Sequence, residues 1–291
     1  AVNRIWQQFF SHGLVETSEN FGSQGSPPSH PELLDWLALE LIRNNWNIRA
    51  IQKQILLSQT YQQSSQLTEE LLQRDPKNQL HARGPRSRLP AFTLRDQALA
   101  VSGLLVEKLG GPSTKPYMPP KVWKSISNNS YKQDKGANLY RRSLYTYWRR
   151  TIPPPTMMNF NAAAREVCVV RTETTNTPLQ ALTLMNNKVF IEAARCMAER
   201  MYLHNKNNLE EAIAFGYQLS VGRPPQVTEL DIMEKTHANF LAHYTLNSAE
   251  AELLLATGET QRNQTIPAVD HAAMTMVASI LLNLDETISK E

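Results

Sequence analysis

Residues 175–200, TNTPLQALTLMNNKVFIEAARCMAER, contain the clearest helix signals in this 291-residue chain. Pro178 predicts the first turn of a helix, because its fixed φ and missing amide hydrogen suit that position. Asn187 predicts the N-cap of a second helix directly after it. Apolar residues then recur at helical spacing, at Val189, Phe190, Ala193, Ala194 and Met197. The stretch therefore predicts two consecutive helices and a mainly α fold.

Three more helices are predicted in the first sixty residues. Apolar residues repeat at helical spacing from Ile5 to Phe10, and Gly13 is the expected stop. Ser29 to Glu32 has the spacing of a capping box for a helix that runs to about Asn44. Asn47 predicts the cap of the next helix across a very short turn. These two helices are expected to form an antiparallel pair.

The middle of the chain predicts one helix followed by a long irregular segment. The helix is expected to begin at Thr93 to Asp96 and to end at residues 110–112, Gly-Gly-Pro. Residues 112–155 are rich in Pro, Asn, Ser, Lys and Tyr and have no helical period, which is typical of a long loop. Residues 144–148 and 167–170 have strand-like content and are predicted to pair as a small β-hairpin.

The C-terminal third is predicted to be helical throughout, with helices at residues 209–219, 228–241, 248–256 and 267–284. The expected fold class is therefore mainly α: an irregular helical domain with a long Pro/Arg/Tyr-rich loop and one small β-hairpin. We expect one domain over residues 1–291, subdivided into a helical part at 1–111, a loop-rich part at 112–177 and a helical part at 178–291.

Composition restricts the class of protein. With 41% hydrophobic, 8% aromatic and 20% charged residues, the chain suits a globular protein, which excludes disorder or a fibre as an overall description. The longest apolar stretch, Ala272 to Leu284, is interrupted by Thr275, Ser279 and Asn283 and is shorter than the roughly 20 residues of a membrane helix. No membrane span is expected.

Charge is distributed unevenly although the net charge is only +3. Residues 74–150 contain 16 Lys and Arg against 4 Asp and Glu, so the remainder of the chain is acidic. A basic block of this kind attracts acidic polymers or partners, and it can equally dock against the acidic parts of its own chain. Nucleic acid is an unlikely partner, because the basic residues are spread over loops and no nucleic-acid recognition motif is present.

The segment RRSLYTYWRR at residues 141–150 is the best candidate ligand surface, with Arg171 and Asn176 as further candidates. Residues 171–177 are dense in side chains that bond locally to the backbone, so stabilisation of a buried turn is their default interpretation. Guanidinium groups bind carboxylate or sulfate in bidentate fashion, while aromatic faces stack on sugars or bases. The alternative is that the aromatic residues anchor the long loop to the core. The candidate ligand-binding residues are Arg141, Arg142, Tyr145, Tyr147, Trp148, Arg149, Arg171 and Asn176.

No catalytic residue can be assigned. The sequence contains no His-Glu-x-x-His zinc motif, glycine-rich phosphate loop or Gly-x-Ser-x-Gly elbow, so neither a metal nor a reaction is predicted. Its two cysteines, Cys168 and Cys196, lack Cys-x-x-Cys spacing and are interpreted as buried thiols without a disulfide partner. His30 and Asp35 are five residues apart, which places them on different helix faces, and a capping role is the simpler explanation for their segment.

The order and spacing of several strings resemble a known family. They are VNRIWQQFFSHGLVETSENFGSQG, HPELLDWLA, LLSQTYQQSS, RRSLYTYWRRTIPPPTMMNF, REVCVVRTETTNTPLQALTLMNN and LLNLDETISKE. Together they look like the planctomycete-specific C-terminal domain of unknown function that follows cytochrome c modules in large exported proteins. The resemblance covers essentially the whole chain. This sequence departs from the family pattern at Phe92 and Asn161, where acidic residues are expected, and at Met274, where tryptophan is expected.

The resemblance implies a parent protein of the periplasm or cell surface, with haem-binding and planctomycete-specific domains upstream of this chain. Haem c is implied for that upstream domain only, because Cys-x-x-Cys-His is absent here and no cofactor is expected in this chain. The first predicted helix begins without a cap, and we expect Trp6 and Phe9 on it to pack against the upstream domains. Two functions follow as hypotheses: a non-catalytic docking module that supports electron transfer by the haem domain, or a domain that binds or processes acidic polysaccharide.

Overall fold

The computed structural model describes residues 1–119, 121–124, 130–170, 172 and 174–290. Within these residues the chain forms thirteen α-helices, two short 3-10 helices and one two-stranded antiparallel sheet. The predicted mainly α class is therefore confirmed.

The α-helices are α1 (Val2–Phe10), α2 (Pro31–Arg43), α3 (Ile48–Leu56), α4 (Glu69–Arg74), α5 (Ala91–Ser102), α6 (Pro155–Asn159), α7 (Pro178–Asn186), α8 (Lys188–His204), α9 (Leu209–Ser220), α10 (Val227–Leu246), α11 (Ser248–Leu255), α12 (Ala268–Asn283) and α13 (Asp285–Ile288). The 3-10 helices are Gly136–Tyr140 and Ser143–Tyr145, and the strands are β1 (Ser87–Arg88) and β2 (Ser289–Lys290). Ser87 pairs with Lys290, and Arg88 pairs with Ser289.

The chain divides into two compact units. Unit 1 consists of Ala1–Arg88, Cys168–Thr172 and Ser289–Glu291, and unit 2 consists of Leu89–Val167 and Glu173–Ile288. Unit 1 thus contains α1 to α4 with the small sheet, and unit 2 contains α5 to α13 with the long loop.

Unit 1 has a small core between α1, α2 and α3. Trp6 and Phe10 stack with ring centroids 4.1 Å apart, and the core is completed by Leu37 and Leu41 of α2 and by Ile51 and Ile55 of α3. The expectation that Trp6 faces another domain is wrong, because its side chain is buried in this core. Phe9 contacts the edge of Tyr61, with ring centroids 5.8 Å apart.

Unit 2 is built around α8, which packs against α12, α5 and α9. Small and flexible side chains on α8 allow these helices to approach it closely, since Ala193, Ala194, Met197 and Ala198 are all fully buried. Gly216 of α9 lies so close to its neighbours that an added Cβ would be 2.6 Å from Met201 and 2.8 Å from Leu281. Any larger residue at position 216 would therefore displace the core.

Two N-caps predicted from local chemistry, Asn47 and Asn187, are confirmed. The side-chain oxygen atoms of Asn47 and Asn187 accept hydrogen bonds from Ala50 N and Val189 N, at 3.3 Å and 3.1 Å. Pro178 occupies the first turn of α7, where Thr177 and Gln180 form a capping box. The box predicted at Ser29 is wrong: His30 is the N-cap of α2, and the Ser29 hydroxyl instead donates to Leu14 O at 3.2 Å.

Two predicted helix ends and the position of the sheet need correction. The C-cap of α1 is Ser11, in the left-handed conformation with φ 66°, and not Gly13. The C-cap of α5 is Gly103 with φ 79°, well before residues 110–112. The single small sheet joins β1 to β2 and not residues 144–148 to residues 167–170. Cys168 is exposed, whereas it was expected to be buried.

Candidate functional site

The candidate ligand loop is held in place by two neighbouring side chains of α5. Arg95 is buried, and its guanidinium donates to Leu139 O and Arg141 O at 2.9 Å each and to Ser143 Oγ at 3.2 Å. Asp96 accepts a hydrogen bond from Ser143 N at 2.7 Å. Burial lowers the pKa of Arg95 to about 10, so the side chain keeps its charge at neutral pH. α5 therefore determines the backbone path of residues 139–143.

Arg141 lies inside the loop. Its guanidinium donates to the carbonyl oxygen atoms of Lys108, Gly110 and Pro112, with distances of 3.0 Å to Lys108 and Pro112. The same group lies 4.0 Å from the centre of the Tyr145 ring, and Gly110 N donates to Tyr145 Oη at 2.9 Å. Arg141 is 2% exposed. Arg141 and Tyr145 thus join the 141–145 part of the loop to residues 108–112.

The next aromatic residues each have a cation of the same chain over the ring. Trp148 Nε1 donates to Ala164 O at 3.1 Å, and the guanidinium of Arg165 lies 4.5 Å from its ring centre. Lys115 lies 5.2 Å from the centre of the Tyr147 ring. These cations cover ring faces on which a sugar would otherwise stack.

The outward part of the loop is cationic. Arg142, whose Nε is 4.0 Å from Asp96 Oδ2, and Arg150 are exposed, and Arg149 is partly exposed with its guanidinium 5.4 Å from the Trp123 ring centre. Asn176 is exposed just before α7, and Arg171 lies outside the described residues. The structure thus separates the predicted set into inward-facing anchors, such as Arg141, and outward-facing cations, such as Arg142.

A buried polar network in unit 2 escaped the sequence analysis. The carboxylate of Glu192, on α8, accepts hydrogen bonds from Tyr117 Oη at 2.7 Å and from Tyr140 Oη at 2.8 Å. It also accepts from Glu259 N at 2.7 Å and from both N and Oγ1 of Thr260 at 2.9 Å. Desolvation by burial raises the pKa of Glu192, but the hydrogen bonds from Thr260 and the two tyrosines outweigh it, so the pKa lies below its ordinary value.

Arg195 and His271 extend this network. Arg195 Nη2 donates to Thr260 O at 2.7 Å and lies 3.9 Å from Glu192 Oε1, while His271 Nε2 donates to Arg195 O at 3.1 Å. The hydrogen bonds to Glu259 and Thr260 join the loop after α11 to the core. Glu192, Arg195 and His271 are each 0% exposed, so the network is closed to a ligand. The sequence did contain one signal for this network: Glu192 and Arg195 are three residues apart on the otherwise apolar face of α8.

Unit 1 exposes large apolar side chains on α2, in the turn that follows it and at the first residue of α3. Trp36, Leu39, Ile42, Trp46 and Ile48 are between 47% and 65% exposed. On the opposite side of α2, Leu37 and Leu41 are buried. A surface helix ordinarily has one apolar side, and exposed clusters of large apolar side chains typically mark interaction sites. The spacing of three residues from Trp36 to Leu39 to Ile42 was visible in the sequence as a second stripe. We call these five residues the tryptophan face.

Two classes of site are absent from the part of the chain that the structure describes. Its His, Cys, Asp and Glu side chains form no group of three or more that could hold a metal ion. Its helices include none with the length and apolar character needed to cross a membrane.

Comparison with protein families gives one match. The family model described as "PSD1: Protein of unknown function (DUF1553)" matches residues 1–237. No curated protein and no solved structure matches the chain.

Proposed function

The chain belongs to the PSD1 family of proteins of unknown function, and on that premise we propose that it is a non-catalytic docking module of an exported, cytochrome c-linked protein. The tryptophan face carries this proposal. It would bind the upstream haem-bearing domain of the same parent protein and hold that domain for electron transfer in the periplasm or at the cell surface. Haem c would belong to that upstream domain and not to this chain.

Removal of apolar surface from water would drive this docking. Tryptophan side chains have large apolar surfaces and are the residues most enriched among the dominant contacts of protein interfaces. Trp36 and Trp46 lie on one helix and its adjoining turn, with Leu39 and Ile42 between them in the sequence. Covering this face would remove several large side chains from water at once. The buried acid of unit 2, Glu192, is fully used by internal hydrogen bonds, which supports a role without catalysis.

We expect the 291-residue chain to bind the separately produced upstream portion of its parent protein with a dissociation constant in the micromolar range or tighter. Replacing Trp36 and Trp46 together by alanine should weaken binding about 30-fold or more, because dominant interface residues contribute about 2 kcal/mol or more. Isothermal titration calorimetry measures both values.

The matched control is the double variant Leu246→Ala/Leu253→Ala, which removes leucines that are 85% and 72% exposed in unit 2. This variant should bind like the unmodified chain. Thermal unfolding should be nearly unchanged in both double variants, since all four side chains are exposed. Failure to detect association at about 100 μM, or equal weakening by the two double variants, would contradict the docking proposal.

The exposed cations of the loop support a second candidate, binding of acidic polysaccharide. Arg142, Arg150, Lys121, Lys124 and Lys135 are all exposed in this segment. Their charge would hold sulfate or carboxylate groups of a polymer without cleaving it, because glycosidase chemistry usually requires two facing carboxylates.

Dextran sulfate is the probe for this candidate, with neutral dextran as its uncharged counterpart. The Arg142→Ala/Arg150→Ala variant should bind dextran sulfate about five-fold more weakly at 0.1 M salt, as expected from the loss of two exposed charges. The matched control Lys206→Ala/Lys235→Ala removes two exposed lysines elsewhere in unit 2. Equal loss in both variants would indicate nonspecific charge attraction and rule out the loop as the site.

A further inference from the structure

Unit 1 contains a cleft of about 310 Å³ between the segment that follows α1 and the segment that follows α4. Its volume is at the lower end of the range of about 300 to 1,000 Å³ that is typical of small-molecule sites. Pro27 and Pro28 contribute to its apolar wall, and the ionisable side chains that line it are His12, Glu16, Lys77 and His81. The cleft lies outside the tryptophan face, and no role in docking requires it.

His81 is the most unusual of these side chains. Its ring packs against the rings of Trp6, Phe10 and His30, with centroid distances of 5.2 Å, 5.0 Å and 5.4 Å. Both ring nitrogen atoms are covered, and no described group lies within hydrogen-bond distance of either. A proton on this ring therefore lacks a compensating partner among the described residues.

Burial is the main cause that lowers the pKa of His81, to about 4, and the nearby His30 and His12 lower it further. Asp75 acts in the opposite direction. The carboxylate of Asp75 is already engaged, since it accepts hydrogen bonds from Gln79 N at 2.8 Å and Leu80 N at 2.7 Å. His81 is thus neutral at pH 7, and negative charge in the cleft would raise its pKa.

The remaining charges of the cleft favour an anion over a cation. Among the described residues that line the cleft, Glu16 is the only carboxylate, and its Oε1 already lies 3.5 Å from Lys77 Nζ. This pair is exposed, so water weakens it and Lys77 remains available to a ligand. His12 supplies a second exposed nitrogen donor. Nitrogen donors therefore outnumber the negative groups that face the cleft.

We propose that the cleft binds a small organic anion through its carboxylate, sulfate or phosphate group, with Lys77 and His12 as the direct contacts. His81 would contribute the charge of a proton gained on binding and not a hydrogen bond, because its ring nitrogen atoms are covered. Binding would thus be coupled to proton uptake and strengthen as the pH falls. This coupling distinguishes an anion from an uncharged ligand such as a neutral sugar.

The test uses the whole 291-residue chain with sodium sulfate as the probe and sodium chloride at equal ionic strength as the reference. Sulfate does not titrate between pH 5.5 and 7.5, so any pH dependence belongs to the protein. If bound sulfate returns the pKa of His81 to between about 6 and its ordinary 6.5, affinity should rise about four- to tenfold from pH 7.5 to pH 5.5. Calorimetry measures the affinity, and NMR follows the His81 ring resonances. Parallel titrations with acetate and phosphate identify the preferred group.

Variants of exposed residues keep the test independent of folding. Lys77→Gln and His12→Gln should each weaken sulfate binding about tenfold, a typical loss for one charge-assisted hydrogen bond. Lys53→Gln, which changes an exposed lysine on α3 of the same unit, should leave binding unchanged. Three results would overturn the proposal: sulfate binding no tighter than chloride at either pH, equal affinity at both pH values, or glucose competing as well as sulfate.

Discussion

Replacement of Glu192 by alanine is expected to destabilise unit 2 by about 3 to 5 kcal/mol, the range measured when one member of a buried ion pair is removed. The carboxylate accepts hydrogen bonds from two tyrosine hydroxyls and from the backbone of Glu259 and Thr260. Its loss leaves those donors unsatisfied and Arg195 without a nearby negative charge. Urea unfolding followed by far-ultraviolet circular dichroism measures the effect.

Glu252→Gln is the matched control for this prediction. Glu252 also contacts an arginine, with Oε1 3.0 Å from Arg262 Nη2, but its side chain is 57% exposed. Exposed ion pairs contribute about 0 to 1 kcal/mol, so this variant should unfold at nearly the same urea concentration as the unmodified chain. A Glu192→Ala chain that loses no more stability than the control would show that the network does not stabilise unit 2.

Arg141→Ala is expected to lower the free energy of unfolding by about 2 to 4 kcal/mol, whereas Arg142→Ala should change it by less than about 0.5 kcal/mol. The two arginines are adjacent in the sequence but differ in environment. Arg141 is 2% exposed and donates to the carbonyl oxygen atoms of Lys108, Gly110 and Pro112, so its removal takes away three hydrogen bonds and leaves the space of a buried side chain empty. Arg142 is exposed, and its ion pair with Asp96 is long, with 4.0 Å between Nε and Oδ2.

The comparison of these neighbours needs two measurements. Urea unfolding gives the difference in stability, and limited proteolysis shows whether residues 106–116 become accessible in Arg141→Ala alone. Arg141→Lys should recover only part of the loss, because one ammonium group cannot reproduce the planar set of guanidinium donors. Equal destabilisation by Arg141→Ala and Arg142→Ala would contradict the assignment of Arg141 as the internal anchor.

Local chemistry was sufficient to predict where several helices begin. Asn47 and Asn187 act within three residues of the backbone groups that they bind, so the sequence contains all the information needed. Ser29 had the same local pattern but failed, because Leu14 O, fifteen residues earlier, binds its hydroxyl instead. The three-residue spacing from Ser29 to Glu32 contains no information about a competing acceptor as far away in the sequence as Leu14.

The sequence also predicted the candidate loop at residues 141–150 only in part. Its composition predicted guanidinium and aromatic groups in one segment, and the structure places them in one loop. Which of them face outward depends on Arg95 and Asp96, more than forty residues earlier, because these side chains hold Ser143 and the backbone at Leu139 and Arg141. The site residues themselves remain predictions, with the exposed Arg142 and Asn176 now the more accessible members.

The sequence by itself determined the helical class, the positions of most helices and the N-caps Asn47 and Asn187, because these depend on periodicity and on interactions within one turn. Only the tertiary structure decided three other properties: the burial of Glu192, the exposure of the tryptophan face and the enclosure of the cleft around His81. Each depends on which distant segments meet. Burial is a property of the packed chain and not of any local stretch, so the same residue types serve as core, anchor or surface according to their neighbours.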